Sequence, residues 1–383
     1  MKMLNLLLFA LTSLYSIQAF ANLTLMPQAP PITAHSYFLQ DFHSGKIIME
    51  KNADERLESA SLTKLMTAYL VFQKIRIGKI KLNDTVKISE KAWRTLGSRM
   101  YVEVDTKVSV ELLLKGMIIQ SGNDASVALA EFVGGTEKAF VSLMNEEVQR
   151  LGLANTRYVN STGLPDEQQH YSTARDIARI ATNIISEFPE YYRWYSEREF
   201  TYNNIPQHNR NILLGRDPSV DGMKTGHTDA AGYCLVASAK RGEMRLISVL
   251  MNAKNKQLRS RESEKILDYG FRFFDTYQMY QPYQPIDTTG VWQGNTNQLQ
   301  LGLEKPLYIT IPSDQYRQLK VTLFIDKHIR APIIEKKIYG TLKITLNNER
   351  ISERPLIALT SVEKGNLWKR LVDSLLLFFI EKL

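Results

Sequence analysis

The chain has 383 residues, of which 44% are hydrophobic and 10% aromatic, and its formal net charge at pH 7 is +8. This length and composition allow a full core, divided between two domains, and exclude a disordered chain. A basic balance can indicate nucleic-acid binding, but no basic run alternates with stacking aromatics, so we expect no nucleic-acid partner. The six histidines are scattered and Cys234 is the only cysteine, which predicts no metal site and no internal disulfide.

The N-terminus has the pattern of a secretory signal peptide. Met1-Lys2 is a short positive region, residues 4–15 are apolar, and Ala19-Phe20-Ala21 is a small-x-small cleavage site. The proline-rich stretch 27–31 follows directly and disfavours a buried first helix. We therefore expect residues 1–21 to be a signal peptide and the mature protein to act in a bacterial periplasm.

The mature chain opens with a predicted hairpin and a predicted helix. Two strand-like runs, His35–Asp41 and Lys46–Lys51, flank a short turn that contains a glycine. A buried helix is predicted over 61–74, and short strands and loops with exposed charge over 84–108.

The predicted helix carries a serine and a lysine that can act together. Ser61 and Lys64 are three residues apart and share a helix face, so the amine can reach the hydroxyl. A lysine activates a serine nucleophile only when its pKa is lowered, and the apolar neighbours of Lys64 predict that lowering through desolvation. The spacing alone is weak evidence, because Ser361 and Lys364 repeat it near the C-terminus.

A second polar pair lies between two predicted helices. The segment Val110–Ile119 is apolar on nearly every side, which indicates burial at the centre of a helical subdomain. It breaks before a second helix that begins at Asp124. Ser121 and Asn123 lie in this tight break and would form a polar corner in a fixed place, although a plain capping turn is an alternative.

The third motif precedes a second hairpin. After a predicted helix over 173–186, Lys224-Thr225-Gly226 leads into two strand-like runs, 232–239 and 244–251. The glycine of the triplet leaves room for another backbone, which suits a bound peptide at a strand edge. A helix over 262–274 is predicted to close this domain.

The remainder has the pattern of a small all-β domain, residues 276–362. It opens with a proline- and glutamine-rich linker over 278–285. No helical periodicity separates the four short apolar runs that follow. These runs are Leu307–Ile311, Leu319–Ile325, Ile338–Leu346 and Leu356–Val362.

The last segment, residues 366–383, is predicted to be an amphipathic helix. Its apolar stretch of about 12 residues corresponds to about 18 Å of helix, too short for a bilayer core of about 30 Å. We therefore expect it to lie in a membrane interface, the alternative being a helix docked on its own β domain. Six apolar side chains share one face: Trp368, Leu371, Val372, Leu375, Leu376 and Phe379.

In this order, Ser61-x-x-Lys64, Ser121-x-Asn123 and Lys224-Thr225-Gly226 resemble the motif set of the serine penicillin-recognising enzymes. The wider text around the first and third motifs resembles the low-molecular-mass penicillin-binding proteins, which are C-terminally anchored serine-type D-alanyl-D-alanine carboxypeptidases. The resemblance covers nearly the whole mature chain.

The resemblance implies an α/β catalytic domain over residues 30–275. A five-stranded antiparallel sheet, built from the two predicted hairpins and one more strand, would be flanked by helices. The helical part that carries Ser121 would be inserted between the two halves. The all-β domain and the amphipathic C-terminal helix also match the layout of that family.

The resemblance also implies a role for each motif residue, without a cofactor. Ser61 would attack the carbonyl between two terminal D-alanines of a peptidoglycan stem pentapeptide, and Lys64 would take its proton. Ser121, held by Asn123, would protonate the departing D-alanine. Backbone amides of Ser61 and His227 would form the oxyanion hole. The substrate-binding residues would be Lys224, Thr225, Gly226, His227 and Arg259, although Arg261 is close enough to leave the arginine open.

β-Lactam antibiotics would acylate the same serine, and two other functions compete with this interpretation. A class A β-lactamase carries a deacylating glutamate in a Glu-x-x-x-Asn motif, and we assign no counterpart between Ser121 and Lys224, where Glu199 and Asn203 share only the spacing. A catalytically vestigial protein that binds the cell wall or maintains cell shape is the other alternative. Cleavage of cross-links is a possible side activity of the same chemistry. We expect a periplasmic enzyme attached peripherally to the outer leaflet of the inner membrane through residues 366–383.

Overall fold

The structure is a computed structural model that describes residues 28–380. The predicted signal peptide, residues 1–21, lies outside the described residues, as do the last three residues of the predicted C-terminal helix. Within the described part, an α/β region that contains the three motifs, termed the catalytic region after its predicted role, is followed by a β-rich module and a final helix.

The catalytic region is built on one five-stranded antiparallel sheet. The first two strands, β1 (Ser36–Asp41) and β2 (Ile47–Lys51), form the predicted N-terminal hairpin. The others are β3 (Val220–Thr228), β4 (Gly232–Arg241) and β5 (Met244–Ala253). The order across the sheet is β2-β1-β5-β4-β3. The predicted sheet of two hairpins plus one strand is confirmed, and β3, at the edge, is the added strand.

Both faces of the sheet are covered, which explains the continuous apolar sequence of β4 and β5. Alternate residues of β4 enter different cores, since Cys234 and Val236 pack with the helical region. Leu235 packs on the other face with Ile266 of the helix Lys256–Phe273. The sheet is therefore held between helices on both sides, and its edge strand β3 lies beside the helical region.

The helical region comprises five longer helices: α1 (Lys64–Arg76), α2 (Val110–Lys115), α3 (Asn123–Gly134), α4 (Glu137–Arg150) and α5 (Ala174–Glu187). The α4 helix, capped by Thr136, was not predicted. Two short antiparallel strand pairs complete it: Thr85–Lys87 with Lys107–Ser109, and the hairpin Glu199–Tyr202 with Ile205–His208. The predicted loop region 84–108 also contains a short helix, Glu90–Arg94.

The helix that closes the catalytic region begins earlier than predicted. It is α6, Lys256–Phe273, whereas the sequence pattern placed its start at Glu262. The Asn255 side chain accepts a hydrogen bond from the Leu258 amide and caps the first turn. As a consequence Arg259 belongs to the helix and not to a preceding loop.

The C-terminal module contains more strands than the sequence suggested. Seven strands form it: β6 (Phe274–Tyr280), β7 (Asp287–Gly290), β8 (Gln298–Gly302), β9 (Leu307–Pro312), β10 (Leu319–Ile325), β11 (Ile338–Leu346) and β12 (Glu349–Ala358). The main sheet has the order β7-β8-β12-β11-β10, and β6 pairs with β9. The predicted linker over 278–285 was wrong at its start, because Gln278 pairs with Tyr308 in the β6–β9 ladder.

The last helix, α7 (Leu367–Ile380), contacts the module through the side that carries Asp373 and Leu377. Asp373 and Leu377 are buried, and the Asp373 carboxylate accepts a hydrogen bond from the Gln293 amide at 2.6 Å. The opposite side is solvent-exposed, with Leu371 at 65% and Leu375 at 63%. Among the described residues, no helix is both long and apolar enough to cross a membrane.

Candidate active site

Ser61 and Lys64 meet at the start of α1. Ser61 lies in the 3₁₀ turn Ala60–Thr63, which runs directly into the helix. The Lys64 ammonium, 1% exposed, donates to Ser61 Oγ at 2.8 Å and to the Thr162 carbonyl at 2.7 Å. A serine hydroxyl thus lies within proton-transfer distance of an amine that is shielded from water.

The environment of Lys64 favours its neutral form. Burial lowers its pKa to about 7, the positive charge of Arg210 adds to this effect, and the Asp124 carboxylate opposes it. A large fraction of the amine is therefore unprotonated near neutral pH and can accept the Ser61 proton.

In the structure, the side chain of Ser121 is hydrogen-bonded to that of Lys224. A π-helical turn, Gly116–Gln120, ends at Ser121, whose φ of 69° is unusual for a residue with a side chain. The Lys224 ammonium donates to Ser121 Oγ at 2.7 Å and to the Thr225 carbonyl at 3.2 Å. The break between α2 and α3 therefore directs a hydroxyl toward the edge of β3.

The contacts of Asn123 differ from the predicted hold on Ser121. Its Nδ2 donates to the Leu96 carbonyl at 2.6 Å, and its backbone amide donates to Ser98. Its Oδ1 is buried and has no hydrogen-bond partner in the part of the chain that the structure describes. Since Asn123 lines the cleft, this oxygen is available to accept a hydrogen bond from a bound molecule.

Positive charge is concentrated in this cleft. Burial lowers the pKa of Lys224 well below its ordinary value, and the charges of Lys64, Arg210 and Arg259 lower it further. Burial also lowers the pKa of Arg259 to about 10. Arg259 is 4% exposed and lines the cleft, whereas Arg261 is exposed, so the structure brings Arg259 to the other motif residues. Such a site favours an anionic ligand.

Gly226 allows the edge strand β3 to pack closely on the turn Ala60–Thr63, which carries Ser61. A β-carbon at this position would lie 3.1 Å from the Ser59 carbonyl oxygen and 3.3 Å from the Ser61 amide nitrogen. The backbone that approaches Gly226 is therefore that of the Ser61 turn, where the sequence had suggested a bound peptide. His227 follows on the strand, exposed at the cleft, with its ring against Tyr233.

Three further groups shape the cleft without a recognisable sequence motif. The Thr162 carbonyl holds Lys64, Arg210 Nε donates to the Gln120 carbonyl at 3.0 Å, and Asp124 fixes a neighbouring loop. Buried carboxylate oxygens of Asp124 accept from the amides of Met100 and Tyr101, both at 2.9 Å. The resulting cleft has a volume of about 480 Å³.

A buried histidine, His170, supports the turn Ala60–Thr63 through a hydrogen bond to Thr63. The Val159 amide donates to His170 Nδ1, so Nε2 carries the proton and donates to Thr63 Oγ1 at 2.8 Å. Thr63 Oγ1 in turn lies 2.9 Å from Ser59 Oγ. Burial lowers the pKa of His170 to about 4, which keeps the ring neutral at physiological pH.

The fold and these paired side chains define a serine acyl-transfer enzyme. Residues 24–255 match the D-alanyl-D-alanine carboxypeptidase family, Peptidase S11, and residues 274–364 match the penicillin-binding protein 5 C-terminal domain. The chain belongs to the D-alanyl-D-alanine carboxypeptidase family.

Similar proteins agree with this membership over nearly the full length. D-alanyl-D-alanine carboxypeptidase DacA of Escherichia coli (strain K12) is 42% identical over 364 residues, which cover 93% of this chain and 90% of that protein. D-alanyl-D-alanine carboxypeptidase DacC of the same organism is 43% identical over 360 residues, which cover 92% of this chain and 90% of that protein. The crystal structure of penicillin binding protein 5 from Haemophilus influenzae superposes with a TM-score of 0.84 at 41% identity, covering 88% of this chain and 99% of that one. The family assignment favours the carboxypeptidase over the β-lactamase interpretation.

Proposed function

We propose that this serine D-Ala-D-Ala carboxypeptidase removes the terminal D-alanine of peptidoglycan stem pentapeptides through an ester formed on Ser61. The observation that carries the assignment is the buried Lys64 amine, which is hydrogen-bonded to Ser61 Oγ at 2.8 Å and has a pKa lowered by burial to about 7. The β-lactam antibiotics would acylate the same oxygen.

The reaction follows from the order of the contacts. Ser61 Oγ attacks the carbonyl carbon between the two D-alanines while its proton moves to Lys64 Nζ. The C–N bond then breaks, and the Ser121 hydroxyl, resupplied by the Lys224 ammonium, protonates the leaving D-alanine amine. The proton held by Lys64 then replaces the one lost by Lys224, which leaves Lys64 neutral. Water attacks the ester in the second half, its proton moves to Lys64 Nζ, and Lys64 returns that proton to Ser61 Oγ as the ester C–O bond breaks. The backbone amides of Ser61 and His227 would hold the oxyanion.

The positive end of the cleft supports recognition of a free chain end. Lys224, Thr225 and Arg259 would bind the terminal carboxylate, and Arg210 adds a further cation at the same cleft. The unpaired Asn123 Oδ1 would accept a hydrogen bond from the peptide backbone. We also propose that residues 30–275 form the catalytic domain and residues 276–362 the β domain.

The test is the release of D-alanine from a stem pentapeptide by the wild type, Ser61→Ala and Ser361→Ala. The control serine has the same spacing to a lysine but lies in the C-terminal module. We expect Ser61→Ala to lose release and to lose the penicillin adduct seen by mass spectrometry, while Ser361→Ala keeps both. An adduct on another residue would contradict the proposal, and no release by the wild type would favour a vestigial wall-binding protein.

The rate at which penicillin leaves the enzyme tests the remaining alternative. We expect a long-lived adduct, because no glutamate lines the catalytic cleft in the described part of the chain, and Glu199, which precedes Asn203 at the class A spacing, is exposed on a hairpin. Rapid turnover of penicillin would instead make the protein a β-lactamase in function.

We further propose that the protein is exported by residues 1–21 and held at the periplasmic surface of the inner membrane by residues 366–383. The exposed apolar side chains of α7 support this proposal. They lie opposite the side of the helix that contacts the module through Asp373. The double variant Leu371→Asp/Leu375→Asp should lose sedimentation with vesicles that contain anionic lipid and keep D-alanine release. Ser374→Ala is the matched control, and unchanged sedimentation of the double variant would contradict the anchor.

A further inference from the structure

A second cavity lies between the catalytic region and the C-terminal module. It has a volume of about 520 Å³ and is lined by the turn 44–47 of the β1–β2 hairpin, by 308–310 of β9 and by the first part of β12. The two parts of the chain are joined at its edge, since Ser44 Oγ lies 2.6 Å from Thr310 Oγ1. The cavity is separate from the catalytic cleft, with which it shares no lining residue.

The wall formed by β12 has polar residues where the sheet otherwise has core residues. Ser352 is paired with Ile344 and Arg354 with Leu342 in the β11–β12 ladder. Paired residues of an antiparallel ladder share a face, and both β11 partners are fully buried. The serine and the arginine therefore occupy the inward face of the sheet, and Arg354 is exposed although it lies on that face.

These polar groups lack partners that would explain their position. Ser352 Oγ is buried and has no hydrogen-bond partner within residues 28–380. Arg354 forms no ion pair with any described residue, and it donates only to the carbonyl of its own neighbour Glu353. Lys46 faces the cavity from the catalytic region, likewise without a carboxylate among the described residues. Glu349 and Arg350 also line the cavity. Arg350 is paired with Glu353 at 2.7 Å, whereas Glu349 offsets part of the positive charge of Arg354 and Lys46.

We propose that this cavity binds a carboxylate of a peptidoglycan stem peptide, held by Arg354, Lys46 and the Ser352 hydroxyl. The inference rests on the proposed function, whose product ends in a free D-alanine carboxylate. Arginine with a hydroxyl donor is a donor set suited to a carboxylate. A stem peptide held there would keep other stem peptides of the same glycan near the catalytic cleft and raise their local concentration.

The position of the cavity argues against a lipid headgroup as its ligand. β12 leaves the cavity at Arg354 and continues to Ala358, and eight residues separate its end from α7. At about 3.4 Å per strand residue, Ser352 lies about 20 Å from the end of the strand that leads to the exposed apolar helix. The cavity is therefore lined in part by the catalytic region and lies about 20 Å along β12 from the end that leads to the proposed membrane anchor.

The experiment uses the mature full chain after acylation by penicillin, so that the catalytic cleft is occupied. Binding of a stem tetrapeptide that ends in a free D-alanine carboxylate is measured by calorimetric titration, with the C-terminal amide of the same peptide as comparison. We expect the carboxylate form to bind and Arg354→Gln to weaken its binding about tenfold, the effect of losing a charge-assisted hydrogen bond. Arg317→Gln removes an exposed arginine elsewhere in the module and should leave binding unchanged.

Several outcomes would overturn the inference. If the wild type and Arg354→Gln bound the tetrapeptide with equal affinity, the cavity would not be its binding site. Equal affinity for inorganic phosphate or for anionic vesicles would show that the site does not select a peptide carboxylate. Failure of the proposed function is recognised separately, because the penicillin adduct on Ser61 and D-alanine release from a short pentapeptide are measured first. Arg354→Gln should match the wild type in both.

Discussion

At the scale of single residues, the site consists of two buried amines that each hold a hydroxyl. Lys64 binds Ser61, and Lys224 binds Ser121, at 2.8 and 2.7 Å. Burial lowers the pKa of both amines, and the positive charge of Lys64 lowers the pKa of Lys224 further. The burial that fits Lys64 for its proposed role as base also makes it unfavourable for folding, because its charged form loses hydration.

The first prediction concerns the pH dependence of acylation. Since the neutral form of Lys64 accepts the Ser61 proton, the acylation rate by a penicillin should rise with pH and level off above an apparent pKa near 7. Stopped-flow measurement of adduct formation between pH 5 and 9 checks this. The Lys115→Arg variant, which changes a partly buried lysine outside the cleft, should show the same profile, and a rate independent of pH across this range would contradict the assignment of Lys64 as base.

The second prediction concerns stability. The pKa of Lys64 is about 7 in the folded protein and about 10 in the unfolded chain, so the unfolded state binds the extra proton between these values. The free energy of unfolding should therefore rise with pH from 7 to 10, at up to about 1.4 kcal/mol per pH unit for this group. Lys64→Met should flatten the rise and increase Tm at pH 7 by a few degrees, while abolishing acylation. Denaturant titrations of both proteins across this pH range measure the slopes, and identical slopes would refute the prediction.

At the scale of elements, the sequence predicted those parts that have a local signature. The serine-bearing helix, the break at Ser121 and the strands of the sheet carry apolar periodicity or turn residues. The first turn of α6 has neither, because Lys256 to Arg261 is mostly polar and only the Asn255 cap marks its start. The α4 helix did have a signal, since its buried Phe140, Met144 and Val148 recur at spacings of four.

In the candidate site, too, the sequence predicted some residues and not others. The three motifs could be placed in one pocket from a family resemblance, but their supporting contacts come from residues with no motif. Thr162 acts through its backbone carbonyl, which any residue could supply, and Arg210 is brought to the cleft by a loop remote in sequence. Such contacts depend on how distant segments pack, and no local pattern records them.

The third prediction is that Asp124 determines the position of the loop that lines the cleft. Its buried carboxylate accepts hydrogen bonds from the amides of Met100, Tyr101 and Val102, at 2.9, 2.9 and 3.2 Å. Asp124→Asn replaces an acceptor with a donor that faces N–H groups, which should cost about 2 kcal/mol of unfolding free energy. Acylation should slow at least tenfold, because Gly97 and Ser98 of the same segment line the cleft.

The control for this loop is Asp105→Asn. Asp105 is an exposed carboxylate that pairs with Lys87, so its substitution should change unfolding free energy by less than about 0.5 kcal/mol and leave acylation unchanged. Chemical denaturation and adduct formation are measured on both variants. Equal effects of the two substitutions would show that the Asp124 contacts do not control the loop.

At the scale of the whole molecule, three hydrophobic cores are joined by polar contacts. Two cores lie on the two faces of the main sheet, and the third fills the C-terminal module. The module meets the catalytic region through the β1–β2 turn, where His43 stacks on Tyr308 with ring centroids 4.5 Å apart. The catalytic cleft lies at the other edge of the sheet, along β3, so the joint and the chemistry are separated by the width of the sheet.

The fourth prediction follows from a buried carboxylate at this joint. Asp41 is 0% exposed and accepts hydrogen bonds from Ser44 Oγ at 2.8 Å and from Thr276 Oγ1 at 2.9 Å, which ties the end of β1 to the module. Asp41→Ala leaves both hydroxyls without this acceptor, so the calorimetric transitions of the catalytic region and the module should separate by several degrees relative to the wild type. Release of D-alanine from a short pentapeptide should stay within twofold, because β1 is three strands from β3. Asp54→Ala, which removes an exposed carboxylate paired with Arg175, is the control. A large loss of activity together with unchanged transitions would place Asp41 in catalysis and not in the joint.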